Sequence, residues 1–330
     1  MTSVPARERG ARAIDRVAAG LLIACVLALP FFVWGFRTYQ LAFAATHAIA
    51  ILGLNLIAGQ AGLISLGHGA FYGLGAYTLA VLMRHAGVPA YAAIVAAGLA
   101  CLVVGYLVGR LVARLAGFYL ALATFALALA VPQMLKSSYV SRWTGGAQGL
   151  YLDRPSAPPG VPLDADQWWY FVSLGTLGVL LWMARNLIAG RTGRAIRAMR
   201  DQPLAAAAAG IDVARYTAWT FAVGSAYAGI AGALAALLLD FIAPESFSYW
   251  LSILLLVGSV FGGMTSAWGA VAGGLFLQFW PDVASMVTRD LVQPVFGVLL
   301  LLSMRWMPEG VAGMVSVWRG PIARGGGAKP

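Results

Sequence analysis

Twelve acids and 22 bases are few for 330 residues, and their positions limit the chemistry this chain can do. The acids are Glu8, Asp15, Asp153, Asp164, Asp166, Asp201, Asp212, Asp240, Glu245, Asp282, Asp290 and Glu309. Each falls in a loop, a terminus or the end of an apolar run. A carrier driven by protons or ions needs an ionisable group where water is absent. Only His47 and His68 sit inside apolar runs, and a lone histidine there reads more naturally as a helix-to-helix hydrogen bond than as a relay. Neither has an acidic companion, so no catalytic or metal-binding cluster is expected. Nucleotide chemistry is excluded as well. There is no G-x-x-x-x-G-K-[ST], the only lysines are Lys136 and Lys329, and the GxG pairs at 67–69 and 73–75 lack a preceding strand and a third glycine.

One apolar stretch departs from the rest. Residues 59–79 read GQAGLISLGHGAFYGLGAYTL, six glycines and a histidine in a setting hydrophobic enough for a membrane. Ser65, Gly69 and Gly73 recur every four residues, the small-residue spacing that lets helices approach closely. Glycines 59, 62, 67 and 69 make a poor helix start and favour unwound or re-entrant backbone, tolerated at membrane depth only where protein or a cavity covers it. Amides freed there, with a helix N-terminus behind them, would suit a substrate carboxylate. Asn55, Gln60, Ser65, His68, Tyr72 and Tyr77 offer neutral hydrogen bonds around an apolar path. Packing and solute path are both open readings of this stretch.

The elements that must position it are helices in a bilayer. The chain is 61% hydrophobic and 10% charged, with mean hydropathy +0.81, too apolar to cover a soluble domain. Apolar runs at about 17–36, 40–58, 65–83, 89–109, 116–135, 167–185, 216–239, 247–263, 267–281 and 291–306 predict an all-α polytopic protein of about ten spans. The start imitates a signal peptide, yet its apolar run is long and lacks a small-residue cleavage site, which predicts a retained first helix. With both termini inside, sixteen of the 22 bases fall on the cytoplasmic side and six (Arg37, Arg84, Lys136, Arg142, Arg154, Arg289) outside, the expected bias. That bias also accounts for the net charge of +10 without nucleic acid, for which no soluble basic domain exists. Cys25 and Cys101 both lie in apolar runs and imply no disulfide framework.

Two loops are long. The outer one, about 136–166, is rich in turn formers and contains RPSAPPGVPLDAD, whose prolines favour extended backbone. The inner one, about 186–215, reads NLIAGRTGRAIRAMRDQPLAAAAAGIDVAR. Arg191, Arg194, Arg197 and Arg200 fit a short basic helix. Asp201 and Pro203 are placed to cap and restart a second helix, Ala205 to Ala209 to extend it, and Gly210 to end it. Small residues let a partner's groove come close while arginines pair with its carboxylates; the plainer alternative is a topology signal that touches anionic lipid. A short echo, Gly-Ala-x-x-Gly at 69–73 and 269–273, hints at an internal repeat. A translocating chain with neither ion relay nor nucleotide site implies energy delivered by a partner at this loop.

The run GLNLIAGQAGLISLGHGAFYGLGAYT resembles the permease subunits of branched-chain amino acid ABC importers. So do RLAGFYLALAT at 114–124, WTGGAQGL at 143–150, GRAIRAMRDQPLAAAAAGIDVARYTAWTFAVGSAYAGIAGAL at 193–234, FIAPESFSYWLSI at 241–253 and FGGMTSAWGAVAGG at 261–274. The resemblance implies a single permease domain over 1–311; residues 312–330 carry no match, and GPIARGGGAKP predicts a disordered cytoplasmic tail there. It adds Thr124 to the path candidates Asn55, Gln60, Ser65, Gly67, His68, Gly69, Tyr72 and Tyr77. It implies an ATPase-coupling segment of Arg194, Arg197, Arg200, Asp201, Ala205, Ala206, Ala207 and Gly210. The implied partners are two ATP-binding subunits that use ATP-Mg, a paralogous permease and a periplasmic substrate-binding protein, with no cofactor on this chain itself. The implied place is the cytoplasmic (inner) membrane. Family members often carry acids where this chain has Ala207, Leu254 and a residue near Leu129, and related permeases serve urea, short amides and aromatic acids. An ion-coupled secondary transporter is the rival of another class.

Overall fold

The computed structural model describes residues 27–33, 35–115, 117–287, 297 and 310–313. The expected spans at 17–36 and 291–306 fall mostly outside the described residues, as do 314–330 of the expected tail. Residues 310–313 form a helical turn.

Beside a helical stretch at 27–32, ten helices longer than a single turn carry the described fold. They are α1 (Gly35–Leu54), α2 (His68–Ala86), α3 (Ala90–Val112), α4 (Phe118–Lys136), α5 (Ala165–Ala189), α6 (Arg191–Asp201), α7 (Pro203–Ala208), α8 (Val213–Leu239), α9 (Tyr249–Gly262) and α10 (Ala267–Val287). Among the described residues, five stretches are long and apolar enough to cross a membrane: Gly35–Gln60, Ala90–Val112, Phe118–Lys136, Ala165–Ala189 and Val213–Leu239. The all-α, multi-span class expected from composition is the class observed.

Burial separates centre from rim. The spans built on α1 and α8 are each 83% buried, whereas α4 is only 22% buried. Between them, α3 shows why. Ala93, Ala97, Cys101, Gly105 and Gly109 recur every four residues on its buried face, while Val95, Leu99, Val103, Leu107 and Leu111 form the opposite, exposed stripe. Gly105 rests on Ser225 and Gly109 on Ala218, both of α8, so close that a Cβ at either would meet atoms under 3 Å away. Without a hydrophobic drive inside lipid, such small-residue contacts are what pull helices together, and the aliphatic stripe is left to face hydrocarbon.

The face opposite α6 and α7 is tied by short links. Strand β1 (Leu150–Tyr151) pairs antiparallel with β2 (Phe241–Ile242), with Leu150 opposite Ile242. Arg154 reaches Asp166 at 2.7 Å and Asp240 at 3.6 Å, joining the 136–166 loop to the starts and ends of α5 and α8. Burial raises the Asp240 carboxyl above its ordinary range, with Arg154 opposing and Asp166 adding to the shift. That loop holds two short helical turns, Ser141–Thr144 and the 3-10 turn Gly146–Gln148, and is otherwise mostly non-helical, as its prolines predicted. A capping box starts α5: the Asp164 side chain accepts from the amide of Gln167, whose own side chain accepts from the Asp164 amide.

Candidate functional site

The helix that begins at Gly35 does not end cleanly. Its last turns, Asn55–Gln60, are π-helical, a wider winding found mostly at functional sites. Gly59 lies there because a Cβ would collide with the Met264 carbonyl. Gly62 then turns the chain with φ +69°, a left-handed conformation that a side chain would resist. Residues 61–67 carry no regular helix, and α2 starts only at His68. His68 Nε2 lies 2.9 Å from the Ala50 carbonyl, so the chain climbs back beside α1 by about 15 Å before helix resumes. The unwound backbone expected from the glycines is present at 61–67.

Amide side chains lock the π-helical turn to the turn between α9 and α10. Asn55 Nδ2 donates to the carbonyls of Ser266 (3.1 Å) and Gly263 (3.4 Å), and its Oδ1 accepts from the Ser259 hydroxyl at 2.5 Å. Gln60 Nε2 donates to the Thr265 carbonyl at 2.8 Å. Above the break, two hydroxyls take up the amides that open α2. The Leu66 amide donates to Thr124 Oγ1 at 3.0 Å and the Gly69 amide to Ser252 Oγ at 2.9 Å. The Gly67 amide donates to Ser65 Oγ, and that of Ala70 to the Gly67 carbonyl. These four amides, read from sequence as free for a carboxylate, are therefore satisfied within the chain in this conformation.

The remaining path candidates are buried with them. A carbonyl only accepts, so His68 Nε2 carries the proton and donates to Ala50. Its Nδ1 meets no hydrogen-bond partner among the described residues. The Tyr72 hydroxyl lies 3.4 Å from Thr46 Oγ1, whereas the buried Tyr77 hydroxyl has no such partner among the described residues. Gly67, Gly69 and Gly73 are where α2 touches its neighbours: a Cβ at each would press on Thr124, Ser252 and Phe247 respectively. The echo of Gly-Ala-x-x-Gly has a counterpart here. Gly269 and Gly273 of α10 pack on Gly262 and Gly258, so both copies of the motif lie against α9 or the segment leading into it.

Beneath the break sit the two short helices predicted for the inner loop. Ile196, Met199 and Ala206 form a small apolar cluster with Ala61, docking α6 and α7 on the irregular segment. Arg200 Nη1 donates to the Gly59 carbonyl at 3.0 Å. Arg197 lines a cavity of about 370 Å³ with Arg185, Thr265, Ser266 and Trp268. Arg194 Nη1 donates to the Ala189 carbonyl at 3.3 Å. Asp201 differs from its expected part: it is the last residue of α6, Gln202 holds the cap position in extended backbone, and Pro203 occupies the first turn of α7. Ala205 and Ala207 are exposed, and Leu204 stands 88% exposed between the helices and solvent. Gly210 ends the element at φ +84°, as predicted. A larger cavity, about 590 Å³, opens beside it between Leu56, Ile196, Arg215 and Trp219.

The structure thus brings Asn55, Gln60 and the 194–210 segment into one connected body, with Ser65, His68, Gly69 and Thr124 directly above. Ser252, Ser259 and the 263–266 turn were not singled out from sequence. The only signal was a serine four residues into an apolar run and a Gly-Gly-x-Thr-Ser cluster.

The sequence profile of the family described as "Branched-chain amino acid transport system / permease component" matches residues 37–304. The chain belongs to this family. Among the permease's relatives is the high-affinity branched-chain amino acid transport system permease protein LivM of Escherichia coli K12, 30% identical over 81% of this chain and 68% of LivM. LivH of Salmonella typhimurium and BraD of Pseudomonas aeruginosa are each 27% identical over 83% of this chain and 93% of their own lengths. No solved structure matches the permease. It is a membrane-embedded, multi-pass protein. Ala207 and Leu129 are exposed, and Leu254 is half-buried against the core.

Proposed function

We propose that the permease is the transmembrane subunit of an ATP-driven importer for branched-chain or similar hydrophobic amino acids, resident in the cytoplasmic membrane. The observation that carries this reading is the docking of α6 and α7 on a broken helix. A short helix pair that projects Leu204 from one face and grips the backbone at Gly59 with the other is suited to pass a partner's motion inward. Among the five described membrane-crossing stretches the one acid is Asp166, in the first turn of α5 and paired with Arg154, which supports energy entering by contact, from two ATP-binding subunits that hold ATP-Mg. A second, paralogous permease shares the path. A periplasmic binding protein delivers substrate to the opposite face, where the 136–166 loop and Asp240 are stapled together. Closure of the ATP-binding subunits draws α6 and α7 together and exchanges one packing of the break for another, and hydrolysis reverses it.

The test is reconstitution. The permease, co-expressed with its neighbouring genes, is purified and placed in vesicles with the binding protein and labelled leucine. Uptake that requires ATP inside and survives dissipation of ion gradients supports the importer. Uptake on an ion gradient alone, with no ATP-binding subunit co-purifying, refutes it in favour of a secondary transporter. Competition by urea, short amides or aromatic acids at the binding protein then fixes the substrate class.

A further inference from the structure

Arg200 touches the helix break at two points at once. Its Nη1 donates to the Gly59 carbonyl at 3.0 Å, inside the π-helical turn. Its Cγ lies over Gly62, where an added Cβ would come within 2.6 Å of it. Asp201 Oδ1 accepts from Nε and Nη2, each at 2.9 Å, and so holds the guanidinium in the plane that meets Gly59. Gly59 in turn rests on the Met264 backbone, and its neighbours Asn55 and Gln60 donate to Ser266 and Thr265. Displacement of α6 therefore reaches both the 59–62 turn and the 263–266 turn through Arg200, alongside the apolar contact of Ile196 and Met199 with Ala61. We infer that Arg200 is the positioning residue through which α6 sets the conformation of both turns. This rests on the importer reading above.

The chemistry of the contact is specific to arginine. A lysine would reach one carbonyl as a point charge, yet it has no second nitrogen for Asp201 to hold in plane and no rigid fork. Gly62 completes the arrangement, since its positive φ and missing side chain make room for the arginine stem. A role limited to closing the end of α6 would need neither Gly59 nor Gly62.

The test uses the assembled complex of the permease with its ATP-binding subunits in vesicles, and reads ATP hydrolysed per leucine imported. Arg200→Gln should raise that ratio by about tenfold, within the range usual for coupling between sites. Hydrolysis and co-purification of the ATP-binding subunits are read in every variant alongside that ratio. Arg200→Lys should fall between, and Gly62→Ala, which evicts the arginine stem, should add little on top of Arg200→Gln because both break one link. Arg110→Gln, on the exposed end of α3, serves as control. Hydrogen exchange at 59–67 gives a second readout: its change on adding nucleotide should vanish in Arg200→Gln. An unchanged ratio with nucleotide-sensitive exchange intact overturns the inference. Loss of the ATP-binding subunits in Arg200→Gln also overturns it, by placing the residue in docking. If the unmutated complex shows no ATP-driven uptake, the importer reading itself fails, before any variant is compared.

Discussion

Asn55 is the side chain whose removal should cost most for its size. It is 3% exposed and joins three groups on two other segments: the Ser259 hydroxyl and the carbonyls of Ser266 and Gly263. Asn55→Ala deletes the bonds at 2.5 and 3.1 Å outright and a weak one at 3.4 Å. A buried hydrogen bond contributes about 1 kcal/mol net, and a stranded partner costs about 1–3 kcal/mol. Ser259 can turn its hydroxyl back to a carbonyl of its own helix, which recovers part of the loss. The expected destabilisation is about 2–4 kcal/mol. Ser259→Ala, which strands only one acceptor lone pair, should cost about 1 kcal/mol. In the double variant Ser259→Ala should be nearly silent, leaving a coupling of about 1 kcal/mol between the two sites. Denaturant titration of the permease in lipid–detergent micelles, followed by tryptophan fluorescence, measures all four corners of this cycle. Additive effects, or an Asn55→Ala cost below about 0.5 kcal/mol, would show that the π-helical turn and the 263–266 turn are not locked by this residue.

Three further outcomes are expected. Gly59→Ala drives a methyl group into the Met264 carbonyl, so it should abolish monodisperse protein on size-exclusion chromatography, whereas Gly175→Ala, with open space around it, should not. The salt bridge from Lys136 Nζ to Glu245 at 2.6 Å holds the Glu245 carboxyl below its ordinary range. Its contribution is therefore full above the ordinary glutamate value of about 4.3 and is lost only as pH falls through the lowered one, so unfolding curves of wild type and Lys136→Gln should differ at neutral pH and converge in acid. Leu204→Asp places a charge on the most exposed apolar residue of α7 and should reduce co-purification of the ATP-binding subunits severalfold in a pull-down, with the fold of the permease unchanged by circular dichroism.

Local signals were legible in the sequence and distant ones were not. The break at 59–67 was readable because glycine acts on its own backbone, and the ends of α7 at Pro203 and Gly210 were readable for the same reason. The satisfied state of the α2 amides was not. Ser252 and Gly69 are separated by 183 residues, and a serine in an apolar run looks alike whether it caps a neighbour or its own helix. The π-helical winding at Asn55–Gln60 also left no pattern, since one extra residue in a buried turn shifts no hydrophobic period over so short a length. Asp201 was misassigned as a cap because Asx residues before a proline usually take that place; here Arg200 already engages its carboxylate.

The central helix α8 has a consequence for how far a small movement carries. Its 27 residues run unbroken from the Asp212 cap, beside α7, to Asp240, which β2 and Arg154 fasten to the 136–166 loop. At 1.5 Å per residue it is a rod about 40 Å long. A tilt of about 5° about one end sweeps the other through about 3.5 Å, more than the length of a hydrogen bond. Because α1 and α3 clamp α8 at glycine contacts along its length, it has little room to bend and must pivot. A pivot of α8 would therefore carry movement from the α7 end to the fastened loop at the other.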